Sequence, residues 1–191
     1  MGFPTIRRAM GLAGLDNFLY GYLVVAIVLV AEQQLDAGQR GTGWLNAALT
    51  VGAFASMGVT WRIDYERQAS RVVILGLLLL AGMVAALGFS NGVPVAFVLV
   101  LVAGVCQLVV EIVAVTIIQA TAPEHLTGRI FGVYDAIAVG LIALGSGLAG
   151  VLAQAFGLTT SLLVVGLMSA GVTLATGLRL VAVAEPLAAE E

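Results

Sequence analysis

The sequence predicts an all-α integral membrane protein with six transmembrane helices, and three observations lead to that prediction. The chain is 61% hydrophobic and only 10% charged, with a mean hydropathy of +1.10. A soluble domain is nearer a quarter charged, so this composition cannot cover a water-facing surface of ordinary size. Six apolar runs each approach or exceed the roughly 20 residues that a helix needs to cross about 30 Å of hydrocarbon. Seven of the eight basic residues, all arginines, fall on one side of the membrane if the runs alternate in direction.

The runs predict one six-helix domain over residues 1–191, with both termini in the cytoplasm. Basic residues are enriched on the cytoplasmic side of membrane proteins, and this orientation leaves only Arg40 outside. Strands are excluded, because an open sheet leaves its edge groups unsatisfied in lipid and the runs lack the alternation of a membrane barrel. The predicted spans are about 12–31, 43–61, 72–89, 94–118, 130–155 and 158–181, and the cytoplasmic arginines are Arg7, Arg8, Arg62, Arg67, Arg71, Arg129 and Arg179.

The first two helices carry markers of their own. The first run follows two arginines and so resembles a secretory signal. Asp16 and Asn17 interrupt it early and five more spans follow, so we interpret it as a retained helix. Trp44 and Trp61 are 17 residues apart, about 26 Å along a helix, which predicts one tryptophan at each membrane interface.

Turn and capping patterns mark the later boundaries. A tight Ser-Asn-Gly-Val-Pro turn over residues 90–94 separates the third and fourth spans. Thr121 and Glu124 have the spacing of a capping box, which predicts a short interfacial helix that begins there before the fifth span. Almost nothing separates the fifth span from the sixth.

The second and fifth helices share a faint internal repeat at an offset of 89 residues. These helices run in opposite directions, which is the relation expected of an inverted three-plus-three repeat in a transporter. Small residues at four-residue spacing on the fifth helix also predict a close approach to a neighbour. The repeat pairs Arg40, Gly43, Asn46, Ala47 and Gly58 with Arg129, Gly132, Asp135, Ala136 and Gly147, and the small-residue stripe is Gly132, Ala136 and Gly140.

Three acids lie inside apolar spans, and Glu111 is the deepest. It lies seven residues, about 10 Å, from the inner end of the fourth helix. A central acid costs about 3 kcal/mol on insertion, and acids in membranes usually face a cavity or a partner. Gln107 lies one turn away on the same face. We expect Glu111 to be the proton-coupling residue with Gln107 beside it in the permeation path, and a purely interhelical hydrogen bond is the alternative.

The other two acids, Asp16 and Asp135, lie within one to two turns of the inner start of their helices. At that position the helix dipole, or an inner-loop arginine such as Arg129, can stabilise a carboxylate without transport chemistry. We therefore expect structural pairing or an inner gate that involves Asp135, Asp16 and Arg129.

Weaker candidates are Asn46, on a polar face of the second helix, and Tyr20 and Tyr22, which lie mid-span instead of in an aromatic belt. We expect at least one of them to line a cavity, although such residues more often bond across helices. The sequence has no phosphate-binding loop, no nucleophile–base pair and no metal-ligand pattern, and Cys106 is alone. We expect no enzyme activity, no cofactor and no metal. With no lysine and no basic patch, we expect no nucleic-acid partner.

One segment carries a family resemblance. Residues 121–135 read Thr-Ala-Pro-Glu-His-Leu-Thr-Gly-Arg-Ile-Phe-Gly-Val-Tyr-Asp and resemble the segment between the tenth and eleventh helices of bacterial major facilitator superfamily transporters. The likeness is greatest to drug- and siderophore-exporter-like members. A proline, an acid and a Gly-Arg pair precede the eleventh helix there, as Pro123, Glu124, Gly128 and Arg129 do here.

The resemblance covers essentially the whole chain, as the C-terminal six-helix half of such a transporter. Residues 41–48 are similar to the start of the eighth helix in that group. In such proteins substrate moves through a cleft between two six-helix halves, often against a proton gradient. The resemblance implies that Asp135 pairs with basic residues of the N-terminal half and that Glu111 lies in the tenth helix. The loop 62–67 occupies the place of a family signature loop but lacks its glycines.

The resulting hypothesis is half of a proton-coupled exporter of a small amphipathic molecule in the bacterial plasma (inner) membrane. The expected partners are the substrate, the lipid bilayer, and either the missing N-terminal half or a second copy of the chain in a homodimer. The alternative is a non-transporting scaffold or assembly partner that uses its small-residue stripes to bind other helices.

Overall fold

The computed structural model describes residues 3–60 and 65–184, which form six long helices and no strand. Trp61 and residues 62–64, which the sequence assigns to the inner end of the second span and to a loop, lie outside the described residues. The all-α prediction is confirmed. The helices are α1 Phe3–Leu29, α2 Gly38–Thr60, α3 Tyr65–Leu87, α4 Val93–Thr121, α5 Thr127–Phe156 and α6 Leu158–Ala184, and α1 continues into a π-helical turn at Val30–Gln34.

Five of the six described helices are long and apolar enough to cross a membrane. The remaining helix, α2, has 23 residues and includes the polar side chains Asn46 and Thr50. The structure satisfies both polar side chains within α2. The Asn46 amide donates to the carbonyl of Thr42 (2.9 Å), and the Thr50 hydroxyl donates to the carbonyl of Asn46 (3.0 Å). These bonds lower the cost of placing α2 in an apolar environment.

Helix α4 lies at the centre of the packing. It contacts α1, α2 and α3, while α5 packs along α1 and α6 packs along α3. The buried core of leucine, isoleucine, valine and alanine side chains extends from α1 through α4 to α3. Two helix pairs, α1 with α5 and α2 with α4, have the most extensive contacts.

Within each of these two pairs, reciprocal glycines bring the two helices close together. A Cβ on Gly145 of α5 would collide with the carbonyl oxygen of Phe18, and a Cβ on Gly21 of α1 would collide with that of Ile142. In the other pair, Gly52 of α2 faces the carbonyl of Leu101 and Gly104 of α4 faces that of Leu49, in the same way. In each case the contacted carbonyl lies three residues before the partner glycine. Membrane helices pack by such backbone approach, because lipid provides no hydrophobic force between them.

This shared geometry fits an inverted three-plus-three repeat, in which α1 corresponds to α4 and α2 to α5. The packing glycines of α2 and α5, Gly52 and Gly145, are 93 residues apart in sequence. The sequence repeat at an offset of 89 pairs other residues, such as Gly58 and Gly147, which face outward with open space around them.

The capping box predicted at Thr121 and Glu124 was wrong, although the short helix predicted there before the fifth span is present at Glu124–Leu126. Thr121 is the last residue of α4, and its hydroxyl donates back to the carbonyl of Ile117 (2.8 Å). Ala122 is extended because it precedes Pro123, and a residue before proline is driven out of the helical region. A short 3₁₀ turn at Glu124–Leu126 follows, and α5 begins at Thr127.

Gln34, in the π-helical turn after α1, connects that turn to the end of α3. The Gln34 side-chain amide lies 2.8 Å from the carbonyl of Ser90 and 3.3 Å from the carbonyls of Leu87 and Gly88. Those carbonyls lie at and just after the end of α3, where the regular helical hydrogen bonds stop. The Leu87 carbonyl also accepts from the Ser90 backbone amide (3.2 Å), and the Gly88 carbonyl from the Thr159 hydroxyl (3.2 Å).

Candidate functional site

Five polar side chains from three helices meet inside the bundle. Asp16 and Asn17 come from α1, Gln107 and Glu111 from α4, and Tyr134 from α5. We call these five residues the carboxyl cluster. Four of its members come from the pair of central helices, α1 and α4, and Tyr134 extends the cluster to α5.

The local sequence explains how each element supplies its side chain. Gln107 and Glu111 are four residues apart, so they lie on the same face of α4 one turn from each other. Asp16 and Asn17 are neighbours on α1, where that helix packs against α4. Tyr134 lies near the start of α5 in a small buried cluster with alanines of α1 and α4, and the ring of Phe131 contacts it edge-on at a centroid distance of 6.2 Å.

Glu111 has a donor for each of its carboxyl oxygens. The Tyr134 hydroxyl donates to Oε1 at 2.6 Å, and the Asn17 amide donates to Oε2 at 3.1 Å. The Asn17 amide also donates to the carbonyl of Ala13 (2.9 Å), which fixes its orientation. The Glu111 side chain is half-buried. Donors from α1 and α5 therefore converge on one side chain of α4.

Asp16 is much less well satisfied. Its side chain is 0% exposed, and its one side-chain hydrogen bond within the described part of the chain is a long one of 3.5 Å from the Gln107 amide to Oδ2. The other oxygen, Oδ1, is buried without a partner. Its carboxyl group is close enough to that of Glu111 for their charges to repel. Among the side chains that the structure describes, no basic group forms an ion pair with either acid.

The three residues expected at an inner gate are separated in the structure. Arg129 and Asp135 are exposed on α5, and neither makes a side-chain hydrogen bond or ion pair within the described part of the chain. Asp16 lies instead with Gln107 and Glu111 in the carboxyl cluster.

The candidates for the cavity lining have three different environments. Tyr20 is half-buried against the core, and Asn46 bonds within its own helix. Tyr22 is only 1% exposed, and its hydroxyl lies 2.5 Å from the hydroxyl of Ser161 on α6. Tyr22 therefore joins α1 to α6 inside the bundle.

Sequence reasoning missed Asn17 and Tyr134 as members of the site. Each is the sequence neighbour of an acid predicted for the inner gate, Asp16 or Asp135. The available signal was helical periodicity, because Tyr134 lies one turn before Ala138 and shares its buried face on α5.

An apolar groove of about 610 Å³ lies between α1, α5 and α6. This volume is in the range of pockets that hold drug-sized molecules. None of the carboxyl cluster lines the groove, so it is a separate feature. Its lining includes Met10, Phe18, Ile137, Leu141 and Val172.

Replacing Tyr134 with phenylalanine is expected to loosen the contact between α5 and α4. The change removes the donor to Glu111 but keeps the packed ring, and hydrogen bonds to charged groups contribute about 2 kcal/mol. Thermal unfolding of the purified protein in detergent would show a lower midpoint. Tyr20→Phe is the matched control, because the Tyr20 hydroxyl has no hydrogen-bond partner among the described residues. Equal midpoints for the two variants would contradict the assigned tether.

Comparison with known proteins gave a family and one curated relative. A family model described as transmembrane secretion effector matches residues 9–190. The multidrug efflux pump Tap of Mycolicibacterium fortuitum is 30% identical over 168 residues, which is 86% of this chain and 40% of the pump. The chain thus spans about 40% of the length of that relative. No solved structure matches the chain.

Proposed function

Because the chain belongs to the transmembrane secretion effector family of the major facilitator superfamily, we propose that it forms one six-helix half of a proton-coupled exporter of a small amphipathic molecule. The chain is a multi-pass membrane protein that takes part in transport. The carboxyl cluster supports the proton coupling, since two acids without a described ion-pair partner lie together within apolar helices. Such groups in transporters mark proton relays and substrate pathways.

A second six-helix unit completes the pathway in this proposal. Helix α5 presents Gly132, Ala136, Gly140 and Gly147 outward, with nothing packed on those glycines. Small residues of this kind allow another helix to approach closely. The unit is the N-terminal half of a longer transporter, and a second copy of this chain is the alternative occupant.

The exposed pair Arg129 and Asp135 belongs to the inner gate of this proposal. Both side chains are exposed and form no hydrogen bond or ion pair within the described residues, so they can pair with charged residues of the second unit. The arginine distribution supports a location in the bacterial plasma membrane with both termini in the cytoplasm.

Reconstitution of the natural protein tests the transport function. Its intact mass is measured first, to establish which unit completes the pathway. The protein is then placed in proteoliposomes, and the efflux of ethidium, an amphipathic fluorescent dye, is followed with and without an imposed pH gradient. We expect saturable flux that depends on the gradient and stops when an ionophore removes it.

The absence of flux would favour the alternative function, a non-transporting scaffold. In that case the proteoliposomes would show no flux above protein-free liposomes for ethidium or for other amphipathic probes. The protein would instead copurify at fixed stoichiometry with another membrane protein bound to α5.

A further inference from the structure

We propose that Asp16, and not Glu111, binds the coupling proton, while Glu111 remains a carboxylate through the cycle. This inference rests on the proton-coupled export proposed above and assigns a separate role to each acid. The sequence predicts proton binding at Glu111, because Glu111 is the deepest acid in its helix, and this proposal moves that role to Asp16. The contrast between the surroundings of the two carboxyl groups carries it.

Burial distinguishes the two acids first. Asp16 is fully enclosed, with Oδ1 unpartnered and Oδ2 at 3.5 Å from its single donor. A buried ion without partners is far more costly than a buried neutral group, so such a carboxyl takes up a proton. Binding of the proton converts the Asp16 carboxylate to the neutral acid, and release restores the carboxylate.

The second difference between the two acids is in their hydrogen-bond donors. Glu111 accepts from the Tyr134 hydroxyl and from the Asn17 amide, one donor on each oxygen. Both groups donate to an anion, so they favour the charged form of Glu111. Its side chain is also half-buried and so retains partial access to the surroundings, whereas Asp16 has none.

The groups that face Asp16 disfavour a second negative charge beside Glu111. From α4 they are Glu111, Gln107 and the thiol of Cys106, and from α5 the phenol of Tyr134. Within the described side chains of α2, α3 and α6, no charged group interacts with Asp16. Two neighbouring carboxylates repel, so we assign the proton to Asp16, the acid with an unpartnered oxygen, and not to Glu111, which has a donor on each oxygen.

This assignment also explains how the proton state can move helices. With the proton bound, Asp16 and Glu111 carry one charge between them and α1 packs against α4. When the proton leaves, two negative charges face each other across that helix pair. The repulsion favours an arrangement in which α1 and α4 separate, which couples proton release to a change in the bundle.

Isotope-edited infrared spectroscopy of the natural protein in lipid tests the assignment without any transport measurement. One sample carries carbon-13 at the side-chain carboxyl of aspartate and another at that of glutamate. At neutral pH we expect the carbonyl band of a protonated carboxyl group, shifted by the aspartate label only. Asp16→Asn is expected to remove that band, whereas Asp135→Asn, the same change at an exposed acid, and Glu111→Gln are expected to keep it.

Three results would overturn the assignment: a band that shifts with labelled glutamate and disappears in Glu111→Gln, a band unaffected by Asp16→Asn, or no protonated band at neutral pH. If Asp16→Asn does not fold, Asp16→Glu is used, which should transfer the band from the aspartate-labelled to the glutamate-labelled sample. The band and the flux are independent measurements. A band without gradient-driven flux would contradict the export function alone, and flux without the band would contradict the role of Asp16 alone.

Discussion

Gly145→Ala is expected to destabilise the helix bundle strongly, although it adds only one methyl group. The new Cβ would collide with the carbonyl oxygen of Phe18 and lie 2.9 Å from the backbone nitrogen of Tyr22. Neither atom can rotate away, because both belong to the backbone of α1. Overpacking of this kind costs about 3 kcal/mol, which exceeds the gain of about 1 kcal/mol from replacing glycine with alanine inside a helix. We expect a much lower yield of monodisperse protein and a lower unfolding midpoint in detergent.

Gly82→Ala is the matched control for that substitution. Gly82 lies inside α3 and is exposed, and a Cβ there would meet no atom of a neighbouring helix within 4 Å, so only the helix-propensity gain applies. The variant should be as stable as the original chain or slightly more stable. If Gly145→Ala and Gly82→Ala had the same stability, the close approach of α1 and α5 would be contradicted.

The number, order and helical nature of the elements follow from the sequence because length and hydrophobicity alone decide them. The sequence did not indicate as directly which face of each helix packs against a neighbour. The stripe of Gly132, Ala136 and Gly140 has the spacing of a packing face, yet these residues face outward while Gly145 contacts α1. Glycines at similar spacing lie on both faces of α5. Only the position of the neighbouring helix decides which face packs within this half.

The site was predictable to the extent that it lies on one helix. Gln107 and Glu111 share a face of α4 because helical geometry places residues four apart together. The position of Asp16 could not be obtained in this way. Its distance from the end of α1 indicates a gate residue, but the crossing of α1 and α4 brings it to Glu111. Such contacts between residues about 90 positions apart depend on helix packing and not on local pattern.

Glu111 has a second role that does not depend on which acid binds the proton. Its carboxylate is the common acceptor for Asn17 of α1 and Tyr134 of α5, so it links three helices through α4. In the assignment proposed above, its carboxylate also opposes a second negative charge on Asp16. Glutamine keeps the shape of this side chain but is neutral, and its amide nitrogen places a donor where one of the two oxygens accepts.

Glu111→Gln is therefore expected to abolish pH-driven export while the protein still inserts into the membrane. Ethidium efflux from proteoliposomes under a pH gradient should fall to the level of protein-free liposomes, with normal yield and a normal elution profile in detergent. Glu32→Gln, the same chemical change at an exposed acid, should transport like the original protein. Unchanged proton dependence in Glu111→Gln would show that Glu111 serves only as a hydrogen-bond acceptor between helices, and that its charge is not needed for the coupling assigned to Asp16.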